Sequence, residues 1–284
     1  MMISERKRIE TVIKNVSTLL EREKNNTDQI RLCARQLDAL LSENTENIDF
    51  WRDRAFESDI TSVFKVTLCK FLSKRPEFCA AAYSALRGDN DDVSDVAKGR
   101  IAYVRNKRND KMFLEFSKVV EGAKAYYCSS FSDACEAVFN NTCEFCILPV
   151  YNGLEGKIYS FYNMLDRYEL KIAHIVTEED ADSQNTVTFA LVGREVMLSD
   201  EGAGKYRFEF SLIGENATVV SNVNEAVREL NGVVTDVGTM PVAYDRPGRR
   251  FYLSADIPSE EIIPLTVYLS IEDPGFDILG VYEI

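Results

Sequence analysis

The chain is poor in the residues that many chemistries need. It has one histidine and one tryptophan in 284 residues, so any mechanism that runs on imidazole has a single candidate, His174. It has no apolar run near the roughly 20 residues that cross a bilayer, and its start, MMISERKRIE, lacks the apolar centre of a signal peptide. Seven cysteines is an odd number without a short repeating framework, which fits reduced thiols in a cytoplasm. Basic residues are outnumbered, 33 against 46, for a net charge of −13. Residues 1–100 balance, with 17 basic and 17 acidic side chains, so the acidic excess lies beyond them. A phosphate backbone wants the opposite sign, which argues against a nucleic-acid partner. The expectation is a cytoplasmic protein with no nucleic-acid or membrane partner.

What is present is 45% hydrophobic residues, enough for two or three cored domains. Ile9, Val12, Ile13, Val16, Leu19 and Leu20 recur at helical spacing, and Ile30, Ala34, Leu37, Leu40 and Leu41 repeat the pattern. A third helical region runs from about Ile48 to Leu72, and Pro76 suits the first turn of a fourth helix closed by Gly88. Residues 1–95 therefore read as a helical bundle used for packing or association. Arg100–Val104 reads as a strand, Met112–Val119 as a helix and Tyr126–Ser129 as a strand. Phe131–Ile172 then reads helix, strand, sharp turn, helix, strand. Glu178, Glu179, Asp180 and Asp182 suggest an acidic loop before a strand at Thr186–Val192. From Tyr206 onward the order is strand, helix, strand, hairpin, strand, helix, strand, a βαββαβ unit. The expected fold is thus multidomain: a helical segment (1–95), an α/β lobe (96–200) and an α+β unit (205–284).

Few motifs carry chemistry. Cys143-x-x-Cys146 lies on an expected strand, where an offset of three points the thiols to opposite faces, and no second pair completes a metal site. His174 sits in an apolar strand with no nucleophile elbow nearby, and Gly202-Ala203-Gly204 lacks the setting of a dinucleotide loop. No metal or cofactor is expected. The turn Asn152-Gly153-Leu154-Glu155-Gly156, at the end of a buried strand and before a helix, could place an amide, a carboxylate and open backbone against a small polar ligand. Its glycines could equally serve only the turn.

These residues resemble the prephenate dehydratase family. Pro149-Val150-Tyr151-Asn152-Gly153 stands where the family has a Pro-Ile-Glu-Asn-Ser turn, and Leu170-Lys171-Ile172 matches its Leu-Lys-Ile strand. Asn185-Thr186-Val187-Thr188-Phe189 resembles its Asn-x-Thr-Arg-Phe motif. The last unit occupies the place of an ACT regulatory domain, and the helical segment that of chorismate mutase in bifunctional members. The resemblance implies a periplasmic-binding-protein-like lobe, a ferredoxin-like (ACT-like) unit, a small aromatic or dicarboxylate ligand, and a homo-oligomer held by the ACT-like or helical part. It points to Asn152, Gly153, Glu155, Asn185 and Thr186 as ligand contacts.

The departures from the family pattern are specific. Only His174 to Gln184 separates two strands that flank a whole second lobe in the family. Val187 and Thr188 replace the threonine and arginine, Tyr151 replaces the glutamate, and Tyr103-Val104-Arg105-Asn106-Lys107-Arg108 replaces the family's Gly-rich start. Gly238-Thr239-Met240-Pro241 replaces the Glu-Ser-Arg-Pro ligand motif of the regulatory unit. Loss of carbon dioxide and hydroxide needs a proton donor and cations, which valine and threonine do not supply. The expectation is a non-catalytic relative that senses a ligand or associates with a partner in aromatic amino-acid metabolism. The rival is an active dehydratase with a rebuilt site, or a chorismate mutase using some of Arg8, Arg22, Arg31, Arg35, Arg52 and Arg54.

Overall fold

A computed structural model describes residues 62–87, 98–154, 156–180, 185–196, 204–214, 217–241, 248–273 and 275–284, with single helical positions at Thr11, Lys14 and Leu32. Nearly all of the first two expected helices, most of the third, Gly88 and Glu155 lie outside the described residues. The rest is a mixed α/β protein whose strands pair both parallel and antiparallel. It divides into two compact units.

One unit takes the described residues of Leu86–Gly202, Tyr206–Glu209 and Ile278–Ile284. Its first strand, β1 (Arg100–Val104), is buried at its three middle positions, as an apolar run between two polar ends should be. Helix α1 (Lys107–Phe116) leads to β2 (Lys124–Cys128), and α2 (Phe131–Phe139) leads to β3 (Phe145–Asn152). β1 pairs in parallel with both, giving the order β2-β1-β3. Helix α1 begins about one turn earlier than the apolar spacing predicts. Its polar first turn hides it, but Asn106 caps it: the Asn106 side chain accepts the Asn109 N–H at 2.8 Å.

A two-residue strand β4 (Gly156–Lys157) folds back on β3, and α3 (Tyr159–Tyr168) follows. Strands β5 (Lys171–Asp180) and β6 (Asn185–Gly193) then pair antiparallel along their whole length, from Lys171 opposite Gly193 to Asp180 opposite Asn185. The expected acidic loop is therefore corrected: Glu178, Glu179 and Asp180 are strand residues. The strand is favoured because the Glu178 carboxylate, inside the unit, meets Lys111 at 2.7 Å and Arg108 Nε at 3.3 Å from α1. β6 also pairs with β3, and the final strand β10 (Asp277–Glu283) pairs in parallel with β5. An apolar cluster of Ile101, Tyr103, Met112, Phe116, Ile147, Val187 and Phe189 forms the core under α1.

The other unit takes the described residues of Met1–Ala85, Ala203–Lys205 and Phe210–Asp277. From β7 (Lys205–Gly214) the element order continues α4 (Thr218–Glu229), β8 (Val233–Pro241), β9 (Arg249–Pro258), a 3-10 turn (Ser259–Glu261), α5 (Ile262–Glu272) and β10, the expected βαββαβ. β8 and β9 are antiparallel, and β9 lies between β8 and β7. Two helices of the N-terminal segment, α6 (Ser62–Leu72) and α7 (Pro76–Arg87), are described, and Pro76 opens the second as expected. Helix α6 packs on α5 and α4, burying Phe64, Leu68 and Leu72. Lys65 on its buried face meets Glu272 at 2.5 Å, Lys70 meets Glu261 at 2.5 Å, and Ser62 donates to Glu225 at 2.8 Å.

Candidate functional site

In a parallel sheet of order β2-β1-β3 the chain reverses direction of winding between β1 and β3, and ligands of such folds bind at the carboxyl ends of those strands. Here the ends are occupied by the protein's own polar groups. Asn109, 3% exposed, donates its side-chain amide to the Val104 carbonyl at 2.7 Å and its N–H to Asn106. At the head of α2 the Ser130 hydroxyl accepts the Asp133 N–H at 3.0 Å, and the Ser129 hydroxyl donates to the Asp133 carboxylate. The Ser129 and Ser130 hydroxyls hold Asp133 below the usual carboxylate range. Both helix N-termini that could greet an anion are thus capped, and each already carries an acidic residue in its first turn, Asp110 in α1 and Asp133 in α2.

The first cation past β1, Arg105, is engaged with an aromatic ring. Arg105 lies 5.0 Å from the Tyr127 ring centroid, and Tyr127 meets Tyr103 edge-on at 5.4 Å. Tyr103 donates its phenol to Asp110 at 3.0 Å, and burial first, then that carboxylate, pushes its pKa up, so the phenol stays neutral. Neither use of the Asn106–Asn109 pair, the helix cap or the bond to the Val104 carbonyl, is legible in the apolar spacing, which starts the helix at Met112. Arg105 was visible only as part of the run that replaces the Gly-rich start.

The residues expected to bind a ligand sit elsewhere. Asn152 ends β3 opposite Gly156 and Val187, and its Oδ1 accepts the Leu154 N–H at 3.2 Å. Gly153 donates its N–H to the Thr186 carbonyl at 2.7 Å, so Asn152, Gly153 and Thr186 are brought together, with Asn185 the next residue along β6. Gly156 has φ +82°, which explains its glycine. The register Ala102 opposite Cys146 puts Leu148 level with Val104. Asn152 therefore lies four residues, about 13 Å, past the end of β1, too far to share a small ligand with the strand-end loop. Of the two positions that replace the family's threonine and arginine, Val187 is 5% exposed in the apolar cluster, and Thr188 places its hydroxyl 3.2 Å from that of Thr177.

His174 is half-buried, edge-on to Phe116 at 6.2 Å, and burial lowers its pKa against the opposing pull of Glu283. Cys143 and Cys146 are buried, and burial pushes the Cys143 thiol up to about 12 and Cys146 well above the ordinary thiol range, which makes them poor nucleophiles. Among the described residues no group of His, Cys, Asp and Glu could hold a metal ion, and no helix is long and apolar enough to cross a membrane.

Comparison with known proteins places this geometry. The prephenate dehydratase family model matches residues 110–179, from the first turn of α1 nearly to the end of β5. No curated protein matches the chain. Among solved structures, prephenate dehydratase from Streptococcus mutans superposes with a TM-score of 0.51 at 15% identity, covering 65% of this chain and 97% of that one. Prephenate dehydratase in complex with L-Phe from Arthrobacter aurescens gives 0.52 at 11%, covering 65% and 90%. A protein described as GqqA, a novel type of quorum quenching acylase, gives 0.52 at 19%, covering 66% and 96%. Identities this low speak for fold alone. Residues 110–179 thus match the prephenate dehydratase family model, and the chain shares the fold of the solved prephenate dehydratases.

Proposed function

We propose that the chain is a prephenate dehydratase relative that has given up the dehydration reaction and serves in small-ligand sensing or regulated association around aromatic amino-acid metabolism. One observation carries this reading. The strand that resembles the Asn-x-Thr-Arg-Phe motif has Val187 packed in the core and Thr188 hydrogen-bonded to Thr177. Neither side chain offers a proton to a departing hydroxide or a guanidinium to a carboxylate. The direct β5–β6 hairpin supports it, since the two strands pair with each other where the family pattern inserts a lobe. So do the capped helix ends at the carboxyl edge. In this reading the chain has three functional parts, a helical segment (1–95), a single lobe (96–200) and an ACT-like unit (205–284), and works as a cytoplasmic homo-oligomer. The outer ends of β3 and β6, with Asn152, Gly153 and Thr186, are where a small aromatic or dicarboxylate ligand would sit.

Acylase activity of the kind named for one structural neighbour, if run through a histidine base and a nucleophile, would need the two side by side, and His174 packs against Phe116 instead. The test is direct. Purified full-length protein incubated with prephenate is expected to release no phenylpyruvate above the uncatalysed rate. Turnover that Asn152→Ala or Thr188→Ala abolishes would overturn the proposal.

A further inference from the structure

Among the described residues, strand β2 is the outermost strand of its unit's sheet and pairs only with β1, and four of its five residues are exposed. Tyr126 is 38% exposed and Tyr127 54%. Sheet edges are usually guarded by proline, bulges or several lysines. This one has Lys124 alone, at its first position.

Its charges are arranged with polarity. Side chains alternate between faces, so Lys124, Tyr126 and Cys128 share one face and Ala125 and Tyr127 share the other. On the first face Arg100 lies 5.8 Å from the Tyr126 ring, adding positive charge at the start of the strand. At the strand's end, next to Cys128, the Ser129 hydroxyl donates to the Asp133 carboxylate, an exposed negative charge, while the Ser130 hydroxyl accepts the Asp133 N–H. On the second face Arg105 covers Tyr127. A strand positive at one end and negative at the other complements itself when a copy runs antiparallel.

We propose that β2 is a homodimer edge, pairing antiparallel with β2 of a second copy about a two-fold axis at Tyr126. That register sets Lys124 opposite Cys128 of the second copy and therefore beside its Asp133, twice by symmetry. It also sets Ala125 opposite Tyr127, a small residue against a large one on the face where Arg105 already covers the ring. Tyr126 meets its own equivalent. The five-residue ladder is small against the 1,200 Å² or so that stable complexes bury, so the dimer forms reversibly and depends on concentration. Its ion pairs lie at an edge and weaken with salt. The proposal does not depend on whether dehydratase chemistry survives.

Cross-linking tests the register on the full chain. Tyr126→Cys places two thiols across the axis within the separation a disulfide spans. Under oxidised glutathione it is expected to give covalent dimer at least about tenfold faster than Leu154→Cys, a cysteine on the exposed hairpin turn, with wild type giving the background of the native thiols. Adding Lys124→Asp should slow that cross-linking at least about tenfold, because it sets two acids together, and adding Asp133→Lys as well should restore it. Equal rates for Tyr126→Cys and Leu154→Cys would overturn the dimer edge. Faster cross-linking without rescue by the charge swap would overturn the register. A wild-type mass that stays monomeric by light scattering at every concentration would also sink the proposal, leaving a different protein's strand as the occupant to seek.

Discussion

Asn109 spends both of its amide groups on a structural task. Its side chain satisfies the last carbonyl of β1 and its N–H satisfies Asn106, in a place too buried for water to substitute. Asn109→Ala is expected to lower stability by about 1–3 kcal/mol, read from the urea midpoint of the full chain. His174 makes a different kind of prediction. Its folded pKa is lowered by burial, so below about pH 6.5 the unfolded chain takes up a proton that the folded chain resists. The stabilisation is thus complete above that pH and shrinks as pH falls. His174→Asn should flatten the acid side of the stability curve, which urea titrations between about pH 7.5 and 5.5 would show. A steeper curve in the variant would mean that Glu283, and not burial, governs the ring. His174 as a structural histidine was legible from its apolar strand. Asn109 was not, because nothing in the spacing of Val104 and Asn109 says that a helix will turn back onto the strand's last carbonyl.

Among the elements, α6 departs furthest from its local pattern. SVFKVTLCKFL carries Lys65 in the midst of its apolar face, where sequence alone would assign the lysine to water. Contact with α5 and α4 buries it, at 7% exposure, against Glu272 at 19%. Lys65→Ala leaves a shielded carboxylate without its partner, and a loss of about 3–5 kcal/mol is expected by chemical denaturation. Lys65→Met combined with Glu272→Leu should recover most of it, since two apolar side chains of similar size need no desolvation. If the double variant stays as weak as the single, the pair does more than neutralise itself. The partner helix α5, IIPLTVYLSIE, is apolar on all sides, a pattern that does announce full burial. Most strands were readable to within two residues for a similar reason: alternation or continuous apolarity bounded by turn residues. The acidic end of β5 was not, because Glu178 draws its cations from α1, some 70 residues earlier in the chain.

At the scale of the whole molecule, the fold was more legible than the site. Order of elements survives wide divergence, and the run from helix to turn to Leu-Lys-Ile strand was enough to suggest the family that the match over residues 110–179 supports. A site is made of groups that meet in space, and the order of elements does not give those meetings. The turn at Asn152–Gly153 joins Thr186 as the motif order suggested, yet the crevice at the end of β1 is filled by Asn106 and Asn109. Glycine spacing marked a turn and could not tell how far beyond the crevice that turn would stand. The prephenate assay and the cross-linking series address the two surfaces that remain, the outer ends of β3 and β6 and the edge of β2.

The pairing of Ile172 with Gly280 has a consequence in time. Strand β10 closes the open side of β5, and a Cβ on Gly280 would come within 2.6 Å of the Ile172 carbonyl oxygen, so the two backbones meet closely. Yet the ribosome makes β10 about a hundred residues after β5, which at ordinary rates of synthesis is a wait of about 5–20 s. Throughout that interval the nascent lobe exposes the backbone edge of β5, and the cell must keep it from other strands until β10 has been made.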